Sequence, residues 1–574
     1  MLRLILSPSV GGTAGYLYDT AASIASSGGE AVLIVPEQYS FAAERIVLER
    51  LGTADAQRVE VLSFTRLANT VFNAVGWDKG KRLNEAGKIL LMSRALEQCA
   101  DKLNVYSRSA DSPAVVRELL SLNEEFCQCA ISPEDMTAAM NNMEDGLLKS
   151  KLADISLVFS VYDSFVSKGW LDDSRMLTRL KDKILESGYF KNKTVFFDSF
   201  RGFTAQEFGV IGKILTQADD VYAALTAPDL VERDSDDIFY HTKNTAKKLI
   251  KLANSVGVPC AKPVVINDPN GDPALDAFAS DFLSPEADVF SGACDSISIV
   301  ASPDIRSECA YAAAHIKRML RTGEYRSRDI AVIVRDETSY IRPMLTALAK
   351  CGVPVFEDRR QPVINQPLMT LVRAALKIAD TGFDTDSVLR ALKTGLCPLA
   401  ADEISDIENY TYLWQINGSG WLKKWESSPD GFGEMTENAA AELERLNALR
   451  EKAVEPFAKF RGKLKDNDGE GCAKAVFELL CELDTAQRLK DLAIYLEDSG
   501  ENVLALETER LWDTLCSLLD VAAQTLGKTP VKASRFSRLF DLMLSTVTLG
   551  EIPHSLEEVT IGSAQRIRPI APKA

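Results

Sequence analysis

MLRLILSPSVGGTAGYLYDTAASIASSGGEAVLIV, residues 1–35, is the stretch that decides the fold class. The apolar residues 2–6 predict a buried strand, and the Gly-rich residues 7–12 predict a turn. A helix is expected at about residues 16–27. Residues 31–35 are all apolar, which is typical of a strand in a parallel sheet covered on both faces. The stretch therefore predicts an α/β fold.

The same alternation continues along the chain and is interrupted twice. A helix at 41–51 and a strand at 59–63 complete a βαβαβ unit of the nucleotide-binding type. Strands are expected again at 194–198 and 220–225, and the residues between are helix-periodic without a convincing strand. A second α/β unit is predicted from strands at 296–300, 330–334, 353–356 and 559–562, with helices at 306–321 and 340–350.

Two α/β units, each interrupted by a helical insertion, are therefore expected. The first unit is predicted to consist of residues 1–80 and 190–295, with residues 81–189 as its helical insertion. The second unit is predicted to consist of residues 296–380 and 545–574, with residues 381–544 as its helical insertion.

Composition narrows the class of protein. The 574 residues are enough for roughly three or four domains. No apolar run approaches the ~20 residues that a membrane span needs, and the first residues are too short for a signal peptide. Eleven scattered cysteines without a CxxC pair predict reduced thiols and a cytoplasmic location. The three histidines have no nearby co-ligands, so no metal site and no catalytic triad are expected.

The net charge of −17 argues against a protein that coats duplex DNA with its whole surface. A local basic channel on an acidic body remains compatible with this charge.

The first strand–turn–helix occupies the place of a phosphate-binding loop but lacks its chemistry. Such a loop needs a Lys to neutralise phosphates and a hydroxyl to hold Mg²⁺. In register, Gly11 and Gly12 are followed by Thr13 and Ala14, and Pro8 removes a backbone donor. The loop is therefore predicted to be degenerate, although anion binding at the helix N-terminus stays open.

The second nucleotide element is also incomplete. A strand over 194–198 ends in Asp198, which could hold Mg²⁺, but the next residue is Ser199 where a water-activating Glu would be needed. Asp198 could equally cap a turn. No catalytic residue is predicted. An Asp/Glu-x-Lys nuclease tripeptide is absent from the sequence, so nuclease activity within these residues is not expected.

Three strand ends carry side chains suited to nucleic acid. The carboxyl ends of strands form the functional edge of an open α/β sheet, and aromatic rings there can stack on bases while Arg holds phosphate. The alternative is helix capping by the Ser and Thr residues with the Phe rings in the core, and the chemistry alone leaves both interpretations open. The candidate nucleic-acid-binding residues are Gln38, Ser40, Phe64, Arg66, Phe200, Arg201 and Phe203.

Several segments resemble AddB, a component of the AddAB helicase-nucleases of Firmicutes. They include VPEQYSF (35–41), VLSFTRLA (61–68), FDSFRGFTAQEF (197–208), SRDIAVIVRD (327–336) and VTIGSAQRIRP (559–569), and they occur in family order along nearly the whole chain. The resemblance implies two RecA-like cores of superfamily 1 helicase type, each with a helical insertion.

The resemblance also implies a role. The helicase-like half of the family is a non-motor, DNA-binding part that guides or reads a single strand beside an AddA partner, in double-strand-break resection and recombinational repair. The family's nuclease, iron–sulfur cluster and Mg²⁺ belong to a C-terminal half, so no cofactor is expected here. The resemblance implies a truncated or fragmentary AddB with an incomplete second core. An active ATP-dependent helicase subunit and a purely structural scaffold for AddA remain the alternatives.

Overall fold

The computed structural model describes most of the chain. The described residues are 1–8, 10–109, 112–231, 237–266, 272–281, 288–357, 360–432, 435–465, 467–550, 557–563 and 572–574.

The first 75 residues form the predicted βαβαβ unit. Its elements are β1 (Leu2–Ser7), α1 (Val10–Ser26), β2 (Glu30–Ile34), α2 (Ser40–Ala56), β3 (Val59–Leu62) and α3 (Phe64–Val75). The helix α1 begins earlier than the sequence predicts, so the expected turn at 7–12 is much shorter. A 3-10 turn, Glu37–Tyr39, joins β2 to α2.

The next part of the chain is mainly helical, as predicted. It contains β4 (Lys81–Leu83), α4 (Glu85–Cys99), α5 (Pro113–Gln128), α6 (Pro133–Asn141), α7 (Leu147–Val166), β5 (Trp170–Asp172) and α8 (Met176–Ser187). The expectation of no strand here was wrong in one detail, because β4 and β5 pair in parallel. Each has three residues, too few for a period-2 pattern to show in the sequence.

The α/β pattern then resumes. The elements are β6 (Lys193–Phe197), α9 (Ala205–Gln217), β7 (Asp220–Thr226), α10 (Tyr240–Ser255), β8 (Val264–Val265) and α11 (Pro273–Asp281). Six of the strands form one sheet in the order β3-β2-β6-β7-β1-β8, and every pair in it is parallel.

Both faces of this sheet are covered, which explains its continuous apolar strands. On one face, α1 and α2 pack through residues such as Leu17 and Val47. On the other, α3, α8, α9 and α10 pack through residues such as Leu67, Leu180 and Ile211. Helix α8 lies within the predicted insertion by residue number, yet it packs in the core of the sheet.

A smaller parallel sheet follows. Its region contains α12 (Ile305–Thr322), β9 (Ala331–Val334), α13 (Glu337–Lys350), β10 (Val355–Glu357) and β11 (Arg360–Pro362). The strand predicted at 296–300 was wrong: these residues are irregular, and Ile299 is 95% exposed. The alternating Ile and Ser residues favour a strand locally, but no neighbouring strand in the described residues accepts its backbone bonds.

The remaining residues are again helical. They contain α14 (Pro367–Thr381), α15 (Thr385–Leu392), α16 (Ala401–Leu413), α17 (Glu437–Leu464), α18 (Gly469–Glu482), α19 (Thr485–Asp498), α20 (Asn502–Leu526), α21 (Ala533–Leu544), β12 (Thr548–Gly550) and β13 (Val559–Ser563). The predicted return of the chain to the second sheet is confirmed, because β13 lies between β10 and β9. The strand β12 pairs with β11 in an antiparallel ladder.

The two helical parts of the chain pack against each other. Leu90 of α4 lies in the core formed by α14 to α21, and Leu542 of α21 lies in the core of α4, α5 and α7. At the rim, the Arg535 guanidinium donates to Ser93 Oγ at 2.7 Å, and Arg94 donates to the carbonyl of Thr525 at 3.2 Å. Helix α4 is therefore the element that joins the helical parts. Among the described residues, no helix is long and apolar enough to cross a membrane.

Candidate nucleic-acid interface

The large sheet has a crevice between the carboxyl ends of β2 and β6. The chain leaves β2 through α2 toward the β3 edge, and it leaves β6 through α9 toward β7. The helices α2 and α9 lie on opposite faces of the sheet. Ligands of open α/β sheets bind where neighbouring strands continue in opposite directions in this way.

Three strands end level with one another at this crevice. Ile34 of β2 pairs with Phe197 of β6 on one side and with Leu62 of β3 on the other. The residues after each strand therefore lie at one edge of the sheet, together with the N-termini of α2, α3 and α9. The three segments that the sequence predicts at this edge thus follow β3, β2 and β6, which are neighbouring strands of the sheet.

The segment after β2 presents an amide and an aromatic ring. Gln38 is exposed, as a side chain must be if it is to hydrogen-bond the edge of a base. Ser40 is buried, and its Oγ donates to the carbonyl of Glu37 at 2.7 Å. Ser40 therefore holds the turn, which corrects its prediction as a DNA contact.

Phe41 is the residue that sequence reasoning missed. Its side chain is 63% exposed in the first turn of α2. The signal was present in the sequence, since Ser40, Ala43 and Val47 form the buried stripe of α2 and Phe41 lies off that stripe.

The loop after β6 presents two aromatic rings and a guanidinium. Phe200 and Phe203 are half-buried, and their ring centroids lie 4.8 Å apart. Arg201 is exposed, and its carbonyl accepts a hydrogen bond from Thr245 Oγ1 at 3.2 Å. Ser199 has a φ of 70°, a left-handed conformation that turns the chain sharply after the strand.

The loop is fixed at its far end by the cap of α9. Thr204 Oγ1 accepts from the Glu207 amide at 3.2 Å, and Glu207 Oε2 accepts from the Thr204 amide at 2.7 Å. Burial raises the pKa of the Glu207 carboxyl, and its hydrogen bonds with Thr204 oppose that rise. The reciprocal bonds hold Phe203 at the start of the helix.

Phe64 is a core residue, which corrects its prediction as an exposed stacking face. It is 7% exposed and packs against Phe197, Phe200 and Phe203 at centroid distances of 6.3, 5.7 and 6.4 Å. The buried ring of Phe64 therefore packs against the rings of Phe200 and Phe203 on their protein-facing side. The buried face of α3 requires this position, because Phe64 shares that face with Leu67, Ala68, Val71 and Phe72.

Arg66 lies beside a polar groove rather than free in solvent. Its guanidinium pairs with the Glu44 carboxylate of α2, and both side chains are nearly half exposed. The groove between α2 and α3 has a volume of about 550 Å³, and Glu60 and Asn69 also line it. A phosphate would have to compete with Glu44 for Arg66.

The helix α1 takes in the residues that sequence analysis aligned with a phosphate-binding loop. The strand β1 ends at Ser7, and α1 begins at Val10. Gly11, Gly12, Thr13 and Ala14 therefore lie inside α1 instead of forming a loop around phosphates. The Thr13 side chain is 2% exposed, so its hydroxyl faces the protein.

Asp198 lies at the end of β6, and β7 separates that strand from β1. Its carboxylate is buried and accepts from Ser199 Oγ at 3.2 Å.

In the described part of the chain, the cysteines do not form a metal-binding cluster. No group of three or more His, Cys, Asp or Glu side chains in the described part of the chain could hold a metal ion. All 11 cysteines are free thiols, distributed over several elements. A four-cysteine cluster site thus does not fit the residues that the structure describes.

These features define a class of protein. It is an α/β protein with a doubly covered parallel sheet, and its switch point carries amide, aromatic and guanidinium groups.

Comparison with known proteins narrows the class. The family model described as "ADDB, N-terminal" matches residues 9–277. The chain is similar to the B subunit of the ATP-dependent helicase/deoxyribonuclease of Clostridium acetobutylicum, at 28% identity over 99% of this chain and 50% of that protein. Proteins of the same name from Acetivibrio thermocellus and Ruminiclostridium cellulolyticum are 29% and 30% identical, each over 94% of this chain and 48% of their own length. The chain spans about half the length of these relatives. Residues 9–277 therefore carry the N-terminal domain of the AddB family.

Proposed function

We propose that this chain is a non-motor, DNA-binding part of an AddB-type subunit, which guides or reads a single strand at the β2–β6 crevice. One observation carries the proposal. The segments that follow β2 and β6 at the switch point of the large sheet carry exposed Gln38, Phe41 and Arg201 and half-buried Phe200 and Phe203.

The side chains have complementary roles in this proposal. The Gln38 amide hydrogen-bonds base edges, and the Arg201 guanidinium holds phosphate. The rings of Phe41, Phe200 and Phe203 stack on bases, each worth about 1–3 kcal/mol. Phe64 positions the ring pair from below. The N-termini of α2, α3 and α9 add partial positive charge at the same edge, which favours the phosphate backbone.

The domain division belongs to the same proposal. Residues 1–80 with 190–295 form a first RecA-like core, and 296–380 with 545–574 form part of a second. Residues 81–189 and 381–544 are their helical insertions. The parallel order of the large sheet and the return of β13 to the second sheet support this division.

Motor activity is assigned to a partner. Gly11 to Ala14 lie inside α1, and Ser199 stands where a water-activating carboxylate would be needed. We therefore propose that an AddA-type protein supplies ATP hydrolysis, in cytoplasmic double-strand-break resection and recombinational repair. The name of the relatives, which makes each of them one subunit of an ATP-dependent helicase/deoxyribonuclease, supports a partner.

The proposal is tested by removing exposed side chains of the crevice. Phe41→Ala in the 574-residue chain should weaken binding of a fluorescent oligothymidine by about 5–150-fold, the equivalent of one lost stacking contact. Arg201→Gln should weaken binding mainly at low salt. The matched control is Phe432→Ala with Arg538→Gln, which removes an exposed ring and an exposed guanidinium elsewhere.

Two outcomes would favour the other functions. Equal binding by the Phe41, Arg201 and control variants, with an AddA partner still bound, would replace the proposal with a structural scaffold. DNA-stimulated phosphate release that is lost in Asp198→Asn would replace it with an active helicase subunit.

A further inference from the structure

A second basic surface lies in the groove between α12 and α13. The groove has a volume of about 470 Å³ and belongs to the smaller α/β part of the chain. Its rim carries the exposed side chains of Arg306, Arg342 and Lys350, above a floor of small residues that includes Ala310 and Ala347.

The three cations have no acidic counterpart in the groove. No carboxylate lines it, and none of the three forms an ion pair within 4 Å in the described residues. Two acids at the start of α12 make other hydrogen bonds. Asp304 caps α12 through the Ser307 amide at 2.9 Å, and it contributes to the field near Arg306. Glu308 accepts from Tyr340 Oη at 2.9 Å.

The charge of the whole segment points the same way. Residues 305–350 contain nine Lys and Arg against five Asp and Glu, in a chain whose net charge is −17. A local excess of positive charge on an acidic protein concentrates anions at that place and repels them elsewhere.

We infer that this groove binds the phosphodiester backbone of DNA without reading its sequence. The inference rests on the proposed function, since it places a second contact to DNA on the same chain. Among the described residues, the lining offers no aromatic ring and no side-chain amide, and the Thr346 hydroxyl donates to the carbonyl of Arg342 at 2.9 Å. Such a surface positions a strand and does not specify bases.

The lining also favours phosphate over an acidic protein segment. A protein partner usually inserts a large apolar or aromatic anchor into a pocket. The floor here consists of small residues and the ring of Pro343, which leaves a shallow, open surface. Point-like phosphates spaced along a backbone fit separated cations on such a surface.

The test is the salt dependence of DNA binding by the full 574-residue chain. The variant Arg306→Gln, Arg342→Gln, Lys350→Gln removes the three charges. The matched control removes the same charge from exposed residues of the second helical part, Lys452→Gln, Lys490→Gln, Lys532→Gln. The probes are a fluorescent oligothymidine, an oligoadenine and a mixed-sequence duplex of equal length.

The groove variant should lower the slope of log affinity against log salt by about 2 on single strands, because three phosphate contacts each contribute about 0.7. Raising salt fourfold should then cost this variant about 16-fold less affinity than it costs the parent. The loss should be equal for thymine and adenine, and the control should behave as the parent. Weaker loss on the duplex would assign the groove to single strands, and equal loss would assign it to either form.

Three results would overturn the inference. If the groove variant and the control have the same slope while Phe41→Ala still weakens binding, the groove proposal fails and the crevice proposal stands. If neither groove nor crevice variants differ from the parent, both fail. If a labelled oligoglutamate peptide binds the parent more tightly than the groove variant while the oligothymidine binds both alike, the groove binds acidic protein instead.

Discussion

Replacing Lys88 with Met should loosen the first helical part of the chain. Lys88 lies on α4 and is 4% exposed. Its ammonium donates to Glu85 Oε1 at 2.7 Å, to Glu124 Oε1 at 2.9 Å and to Ser174 Oγ at 3.1 Å. The Asp172 carboxylate lies 3.7 Å away and is itself buried. Lys88 thus joins α4, α5 and the residues that follow β5.

The cost comes from the carboxylates that Lys88 leaves behind. Removing one partner of a buried ion pair costs about 3–5 kcal/mol, because the other charge stays buried without compensation. Glu85 is 56% exposed and can turn to solvent, and Glu124 is 31% exposed, so the penalty falls mainly on Asp172 at 1%. We therefore expect the lower value, about 3 kcal/mol, which raises local opening about 150-fold.

Native-state hydrogen exchange on α4 and α5 measures this opening. The matched control is Lys149→Met in the same helical part, where a half-exposed ammonium pairs with the exposed Asp145 and little change is expected. Asp172 keeps hydrogen bonds from Tyr162 Oη at 3.0 Å and from the Ser174 amide at 2.9 Å. Adding Asp172→Asn to Lys88→Met should recover part of the protection, since it removes a buried charge that has lost the Lys88 ammonium. Exchange in Lys88→Met that matches Lys149→Met would refute the reasoning.

The same site fixes a pH dependence. Burial alone lowers the pKa of Lys88, but hydrogen bonds to Glu85 and Glu124 and the charge of Asp172 outweigh it and raise the pKa above its ordinary value. A raised pKa means that the stabilisation is present below the unfolded value of about 10.4 and is lost as pH rises through the folded value. The difference between Lys88→Met and the parent should therefore be constant between about pH 7 and pH 10.

Three further predictions concern the site and the thiols. Glu44→Gln should free Arg66, tighten binding of oligothymidine and steepen its salt slope by about 0.7, and weaker binding would contradict this. Phe64→Ala should lower the free energy of unfolding by about 3–5 kcal/mol, because the Phe64 ring is only 7% exposed. The midpoint of urea unfolding measures this change, and an unchanged midpoint would show that the ring is not packed as described. Burial raises the pKa of the Cys397 thiol to about 12. Iodoacetamide at pH 8 should therefore label the exposed Cys129 in the native protein and Cys397 only after unfolding. Labelling of Cys397 in the native protein would contradict the fold around it.

Much of the fold could be predicted from the sequence. Residues 31–35 and 194–198 are runs of mostly apolar residues, and such runs become strands because both faces of the sheet are covered. The helices α12 and α13 carry apolar stripes at the 3.6-residue period, and their positions were predicted within a few residues. The failure at 296–300 has a clear cause. A strand needs a neighbour, and local composition does not show whether one is present.

The candidate site divides in the same way. The sequence supplied the residue types after β2, β3 and β6, since those segments follow apolar strands directly. It could not separate exposed from buried members of the set. Gln38 and Arg201 face solvent, whereas Phe64 and Ser40 serve the core and a turn.

The sequence by itself determined the strands, most of the helices and the chemical groups at the strand ends, because these depend on neighbours within a few residues. Only the tertiary structure decided that β2 lies beside β6, that α2 and α9 lie on opposite faces of the sheet, and that Glu44 forms an ion pair with Arg66. Those facts join residues far apart in the chain. Sheet order and side-chain burial depend on how such distant segments pack together, and a local pattern carries no record of that packing.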